Sequence, residues 1–268
     1  ISEWGHDFRP EYRRIREMID ALGHSVPVMA LTATATPKVQ SDIVKTLDMH
    51  APGIFKESFN RTNLFYEIRP KVNKAQTIKE IVQICRTKPG SSGIVYVQSR
   101  KSTEELAQTL EVNGIKAAPY HAGLDTKLRA KIQDEFLMQD IDVICATIAF
   151  GMGIDKPDVR FVFHADLPSS LDAYYQEIGR AGRDGNPAEA QMVFGLADIQ
   201  MRRRFIDQEA GGEERRRREH RRLDTLVAYC EAPECRLQNL LLYFGEESEP
   251  CGNCDVCLDP AETVDGSE

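Results

Sequence analysis

The sequence predicts an α/β fold in which a parallel sheet is flanked by helices and followed by a small helical metal-binding unit. Short apolar runs alternate with amphipathic helical stretches between residues 13 and 194, the pattern of a parallel sheet with crossover helices. After Ala197 only helical periodicity continues. Three of the seven cysteines then stand at intervals of three, close to the end of the 268 residues.

In chain order, Ile15, Met18, Ile19 and Leu22 share one face of a helix over residues 13–22. Residues 26–31 are an apolar run read as a strand. It leads into a loop where Thr36 caps a helix that has Pro37 at its first position. The alternation then predicts a helix over 78–85, a strand over 93–97, a helix over 103–110 and a strand over 115–118. A helix over 128–137, strands over 142–146 and 160–164, a helix over 171–178 and a strand over 190–194 complete the sheet. Ligands of such sheets sit at the carboxyl ends of the strands. Three helices follow: 197–208, one from about 213 with Leu223, Leu226, Val227 and Cys230 on one face, and one from about 235 with Leu237, Leu240, Leu241 and Phe244.

With 41% hydrophobic and 28% charged residues, and with 18 Gly and 13 Pro spread along it, the chain is globular and neither disordered nor fibrous. The formal net charge is −8, from 34 basic and 42 acidic residues. Eight of the acids and none of the bases lie in 244–268, so residues 1–243 are neutral overall. The acidity belongs to one tail and does not exclude a polyanionic partner. No apolar run reaches the roughly 18 residues of a membrane span, and the first residues lack a signal-peptide core. The expectation is an intracellular protein without a membrane partner. The missing initiator Met adds the expectation of a longer parent.

Cys251-x-x-Cys254-x-x-Cys257, with Gly252 and Asn253 in the first gap, allows a tight turn that aims thiolates at one ion. A tetrahedral structural zinc site needs a fourth ligand. Cys230 continues an apolar stripe and reads as core, whereas Cys235 opens a helix whose amide dipole favours a thiolate. Cys235 is therefore the choice. An iron-sulfur cluster of ferredoxin type would place a fourth cysteine before the proline, and Leu258-Asp259-Pro260 has none. Cys85 and Cys145 read as core.

Arg180 and Arg183 lie three apart at a helix end, among Gly179, Gly182 and Gly185. Two guanidinium groups so placed suit a polyphosphate and the charge that grows on a transferring phosphoryl group. A solvated helix end paired with Glu177 and Asp184 is the alternative from these residues alone. Likewise, the run of arginines at 215–218 with Arg221 and Arg222 either tracks a nucleic-acid backbone or is a solvated face.

Gln176-x-x-Gly179-Arg180-x-Gly182-Arg183-Asp184-Gly185 resembles motif VI of superfamily 2 helicases. The chain is similar in particular to the RecQ family of DNA helicases, in Trp4-Gly-His6-Asp-Phe8-Arg9-Pro10, Leu31 to Thr36, Tyr96-Val-Gln-Ser99-Arg100-Lys101, Tyr120-His121-Ala-Gly-Leu124, Ala146-Thr147 through Gly151-Met-Gly153-Ile154-Asp155-Lys156-Pro157, and the cysteine cluster. The resemblance covers residues 1 to about 260, in the family's order.

It implies RecA-like lobes with ATP and Mg2+ in the cleft between them. The corresponding division is a remnant of the first lobe over 1–52, the second lobe over 53–208, a four-cysteine zinc-binding subdomain over 209–260 and an acidic tail over 261–268. Arg180 and Arg183 become arginine fingers, Gln176 links ATP to movement, and Asp155 with Gly153 approaches the nucleotide. Thr32 and Thr34 couple hydrolysis to DNA movement. Trp4, His6, Phe8 and Arg9 match an aromatic-rich loop that senses single-stranded DNA, and aromatics interleaved with Arg suit base stacking. Ser99, Arg100 and Thr147 fall where DNA phosphates are held. Cys235, Cys251, Cys254 and Cys257 are the zinc ligands.

Neither a G-x-x-x-x-G-K-[ST] loop nor an Asp-Glu-x-His box occurs in the sequence, and in the family both lie upstream of the segment that begins here. The resulting expectation is the C-terminal part of an ATP-dependent 3′ to 5′ DNA helicase acting on single-stranded and partly duplex DNA in recombination and repair. It is expected to be inactive alone and located in bacterial cytoplasm or nucleoid. The competing reading is a non-catalytic, zinc-stabilised DNA-binding or regulatory module.

Overall fold

The computed structural model describes residues 14–23, 26–32, 36–150, 155–209 and 212–260. The chain divides into two compact units, residues 1–60 with 238–249, and residues 61–237 with 250–268.

The first unit holds helices α1 (Ile15–Ala21) and α2 (Pro37–Thr46). As the sequence predicts, the Thr36 hydroxyl accepts from the Val39 amide and Pro37 opens α2, where a missing N–H costs nothing. Arg16 Nη1 donates to the Leu47 carbonyl at 3.2 Å. Phe59 stacks on Phe244 with ring centroids 4.8 Å apart. The Glu246 carboxylate takes the Ser58 hydroxyl and the Phe59 amide. The strand expected over 26–31 is absent from residues 26–32, where Met29 and Leu31 are exposed. An apolar run becomes a strand only when a neighbour completes its ladder.

The second unit contains β1 (Leu64–Pro70), α3 (Lys74–Thr87), β2 (Ser92–Tyr96), α4 (Arg100–Val112), β3 (Ala117–Tyr120), α5 (Thr126–Leu137), β4 (Val143–Ala146), β5 (Val159–His164), α6 (Leu171–Ile178), β6 (Ala188–Phe194), α7 (Leu196–Gln208) and α8 (Glu213–Glu231). Helices α9 (Arg236–Tyr243) and α10 (Asp255–Leu258) follow. The six strands form one parallel sheet in the order β1-β6-β5-β2-β4-β3.

Central strands β2 and β4 are buried along their whole length, as a sheet covered on both faces requires. Helices α3 and α4 cover one face through Ile81, Val82, Leu106 and Leu110, which pack with Val95, Val143, Phe161 and Phe163. A Cβ on Gly93 would sit 2.0 Å from the Phe161 ring, so only glycine fits there. Asn73, Ser99, Asp125 and Ser170 cap α3, α4, α5 and α6 with their side-chain oxygens. Two strand readings change. β3 lies two residues later than expected, and β1 is an edge strand that the alternation did not reveal.

Candidate functional site

The turn after α6 carries the two arginines. The Gly182 amide donates to the Val159 carbonyl at 2.8 Å and the Asp184 amide to the Pro157 carbonyl at 3.1 Å, fastening the turn to the start of β5. Gly182 itself has φ +58, a left-handed backbone that glycine adopts without strain.

Arg180 Nε donates to the Tyr96 hydroxyl at 3.0 Å, and that hydroxyl donates to the Phe150 carbonyl at 3.3 Å. Burial, with Glu177 nearby, raises the Tyr96 phenol above its usual range, so it stays protonated and bridges the two. Tyr96 also stacks on His164, with centroids 5.1 Å apart, and His164 Nε2 lies 2.7 Å from a Glu177 carboxylate oxygen. Arg183 is exposed; its Nε donates to the Gly179 carbonyl at 3.2 Å and its Nη1 to Asp155 Oδ1 at 2.9 Å. The structure thus brings Arg180, Arg183 and Asp155 to one edge, with Gln176 exposed one helical turn earlier on α6. Gly153 lies outside the described residues.

Ser99, Arg100 and Thr147 gather at the carboxyl ends of the neighbouring strands β2 and β4. Ser99 caps α4 by accepting from the Ser102 amide at 3.0 Å. Arg100 lies over Gly123, where a Cβ would come within 2.8 Å of its Nη1. The Thr147 amide donates to the Tyr120 carbonyl. The preceding loop is held by Asp166, which accepts from the Gln98 amide at 2.9 Å while Lys71 bridges Asp166 and Asp198 at 2.7 and 2.8 Å. Sequence reasoning missed this lysine clamp, whose parts are separated by up to 127 positions. Thr32 is exposed. Trp4, His6, Phe8, Arg9 and Thr34 lie outside the described residues.

The arginines of α8 are laced with acids. Arg215 pairs with Glu209, Arg217 with Glu213, and Arg218 and Arg222 with Glu219. Two of these pairs lace the helix to itself at spacings of four and three residues.

Four thiols, those of Cys235, Cys251, Cys254 and Cys257, converge so that all lie within 4.8 Å of one another. Tetrahedral zinc with Zn–S bonds of about 2.3 Å sets sulfurs roughly 3.8 Å apart, so the cluster fits the ion. Backbone amides of Cys251 and Asn253 donate to the sulfurs of Cys235 and Cys251 at 3.2 and 3.3 Å. Desolvation and neighbouring sulfurs raise the Cys251 and Cys257 thiols, and a bound cation would favour their thiolates. Cys230 is buried outside the cluster and its thiol is pushed up to about 12 by burial. No described helix is long and apolar enough to cross a membrane.

Comparison with known proteins agrees with this geometry. Residues 73–185 match the helicase conserved C-terminal domain and residues 196–258 match the RecQ zinc-binding domain. The chain is 42% identical over 267 residues to the ATP-dependent DNA helicase RecQ of Pasteurella multocida, covering 99% of this chain and 42% of that protein. It is 47% identical over 251 residues to the RecQ-like DNA helicase BLM of Xenopus laevis, covering 92% of this chain and 18% of that protein. It therefore spans less than half the length of these relatives. Among solved structures, Saccharomyces cerevisiae Dbp5 bound to RNA and ADP BeF3 superposes with a TM-score of 0.53 at 19% identity, over 73% of this chain and 54% of that one. At that identity the likeness concerns the fold alone.

Proposed function

Since this chain is a RecQ-type helicase segment that joins a helicase conserved C-terminal domain to a RecQ zinc-binding domain, we propose that it is the second RecA-like lobe and zinc subdomain of an ATP-dependent 3′ to 5′ DNA helicase. The chain then divides into a remnant of the first lobe over 1–52, the second lobe over 53–208, the zinc subdomain over 209–260 and a tail over 261–268. ATP and Mg2+ are held mainly by a phosphate loop and an acidic box that this sequence does not contain. Mg2+ bound there would neutralise phosphate charge.

Arg183 leaves Asp155 for the γ-phosphate, and Arg180 stabilises the same developing charge while Tyr96 holds it. Asp155, released, faces the ribose beside Gly153. Gln176 reports nucleotide occupancy along α6. DNA phosphates take the Ser99 and Thr147 hydroxyls and the Arg100 guanidinium, while Trp4, His6, Phe8 and Arg9 stack against unpaired bases. Thr32 and Thr34 couple the two events. Cys235, Cys251, Cys254 and Cys257 would hold a structural zinc ion, which would tie the four cysteines into one rigid loop. Thiols gathered at a metal site suit a reducing compartment, and we place the protein in bacterial cytoplasm or nucleoid.

What supports this reading above all is the pair Arg180 and Arg183, displayed from one fastened turn with Asp155 as the exchangeable partner of the exposed one. The test is ATP hydrolysis and strand separation by the full-length protein, with and without single-stranded DNA. Stimulated turnover there, and none from residues 1–268 alone, is expected. A full-length protein that binds DNA without hydrolysing ATP would favour the non-catalytic module.

A further inference from the structure

Two side chains just ahead of β1, which no sequence motif singled out, close on the arginine turn. Arg61 Nη2 donates to the carbonyls of Ala181 and Gly182, each at 2.9 Å. Asn63 Nδ2 donates to the carbonyls of Gly182 and Asn186, each at 2.8 Å. Its backbone carbonyl accepts from the Ala188 amide at 3.0 Å, so Asn63 is itself anchored where β1 and β6 begin to pair. Residues 181 and 182 are the only ones between Arg180 and Arg183. Their carbonyls collect three of the four donated hydrogen bonds.

From this geometry we infer that Arg61 and Asn63 are positioning residues for the arginine pair: they set the direction in which Arg180 and Arg183 leave the backbone. The role rests on the reading that these arginines meet a transferring phosphoryl group. An arginine finger is long and flexible, so its aim is decided where its Cα is held. Arg180 is guided beyond the turn by the buried Tyr96 hydroxyl, and Arg183 by the Gly179 carbonyl and the exposed Asp155 carboxylate, so the turn sets the origin of both side chains. The left-handed backbone at Gly182 closes a turn in which its carbonyl accepts from the Gly185 amide at 3.1 Å, and the two side chains add two further donors to that carbonyl. Catalytic groups displaced by about 1 Å lose on the order of a hundredfold in rate, so loss of either clamp falls on turnover more than on nucleotide binding.

The test uses the full-length protein with Arg61→Ala, Arg61→Lys and Asn63→Ala. Turnover, the KM for ATP, affinity for oligothymidylate, affinity for ADP and for ADP with aluminium fluoride, and melting temperature are measured together. Arg61→Ala and Asn63→Ala are expected to lower kcat about tenfold and to weaken the ADP–aluminium fluoride complex by the same factor. KM for ATP, ADP binding and oligothymidylate binding should stay within about twofold. Arg61→Lys, which keeps the charge and a donor group but loses the planar fork, should fall between these and the wild type. A kcat within about twofold of wild type in both alanine variants overturns the inference. So does a parallel fall in every binding constant together with the melting temperature, which would mark a purely structural role. An unmutated protein without stimulated turnover refutes the proposed function, and this role with it.

Discussion

The Arg236 guanidinium meets Asp255 through Nε, 3.0 Å from Oδ1 and 3.2 Å from Oδ2. Its Nη1 donates to the carbonyls of Tyr229, Cys230 and Ala232, each at 3.0 Å. Asp255 Oδ2 accepts in turn from the Ile68 amide of β1 at 2.9 Å. One buried ion pair therefore joins the end of α8, the start of α9, the cysteine loop and the edge strand of the sheet. Arg236→Ala leaves the carboxylate and three carbonyls without that donor, and breaking a buried pair of this kind costs about 3 kcal/mol. Thermal melting of the chain should show the loss.

The metal prediction separates two cysteines five positions apart. Cys235→Ser should drop zinc well below one ion per chain, because its sulfur lies in the four-thiol cluster. Cys230→Ser should keep one, because its thiol is buried elsewhere. Elemental analysis after gel filtration reads both, and visible iron-sulfur absorbance in the wild type would contradict the zinc assignment.

A methyl group at Gly182 would meet Asn63 Nδ2 at 2.5 Å and the Asn186 carbonyl at 2.9 Å, on a backbone of φ +58. Gly182→Ala should therefore cost roughly 1–3 kcal/mol. The urea midpoint should fall while the slope stays unchanged, since the unfolded chain exposes the same surface.

Acid should find Asp184. Hydrogen bonds from Arg160 and Asn186 hold its carboxyl at about 2, below the usual 3.8. The folded state prefers the ionised form, so this contribution is complete above pH 4 and fades as the pH falls toward 2. The melting temperature of Asp184→Asn should start lower than wild type at pH 5 and converge on it only as the pH falls to about 2.

Much of the lobe was legible because buried parallel strands are written as apolar runs, as in Gly93 to Val97 and Val143 to Ala146. Strand β1 was not. Leu64-Phe-Tyr-Glu-Ile-Arg-Pro70 alternates burial at the sheet edge, mixes charge into its period and ends in proline, which masks the strand. Residues 26–31 show the converse, a strand-like composition with no ladder to join. The cysteine spacing made the metal cluster readable, and choosing Cys235 over Cys230 rested on the apolar stripe that claims Cys230 and on the helix start at Cys235. Arg61, Asn63 and the Lys71–Asp166–Asp198 bridge could not be read, because each joins residues some 95 to 127 positions apart and leaves no local period.

The decisive measurement is ATP turnover by the full-length protein with saturating single-stranded DNA, Arg183→Ala beside the wild type. The variant is expected to lose kcat on the order of a thousandfold, the contribution of an arginine finger, with little change in DNA affinity. An Arg183→Ala enzyme turning over within about twofold of wild type would contradict it.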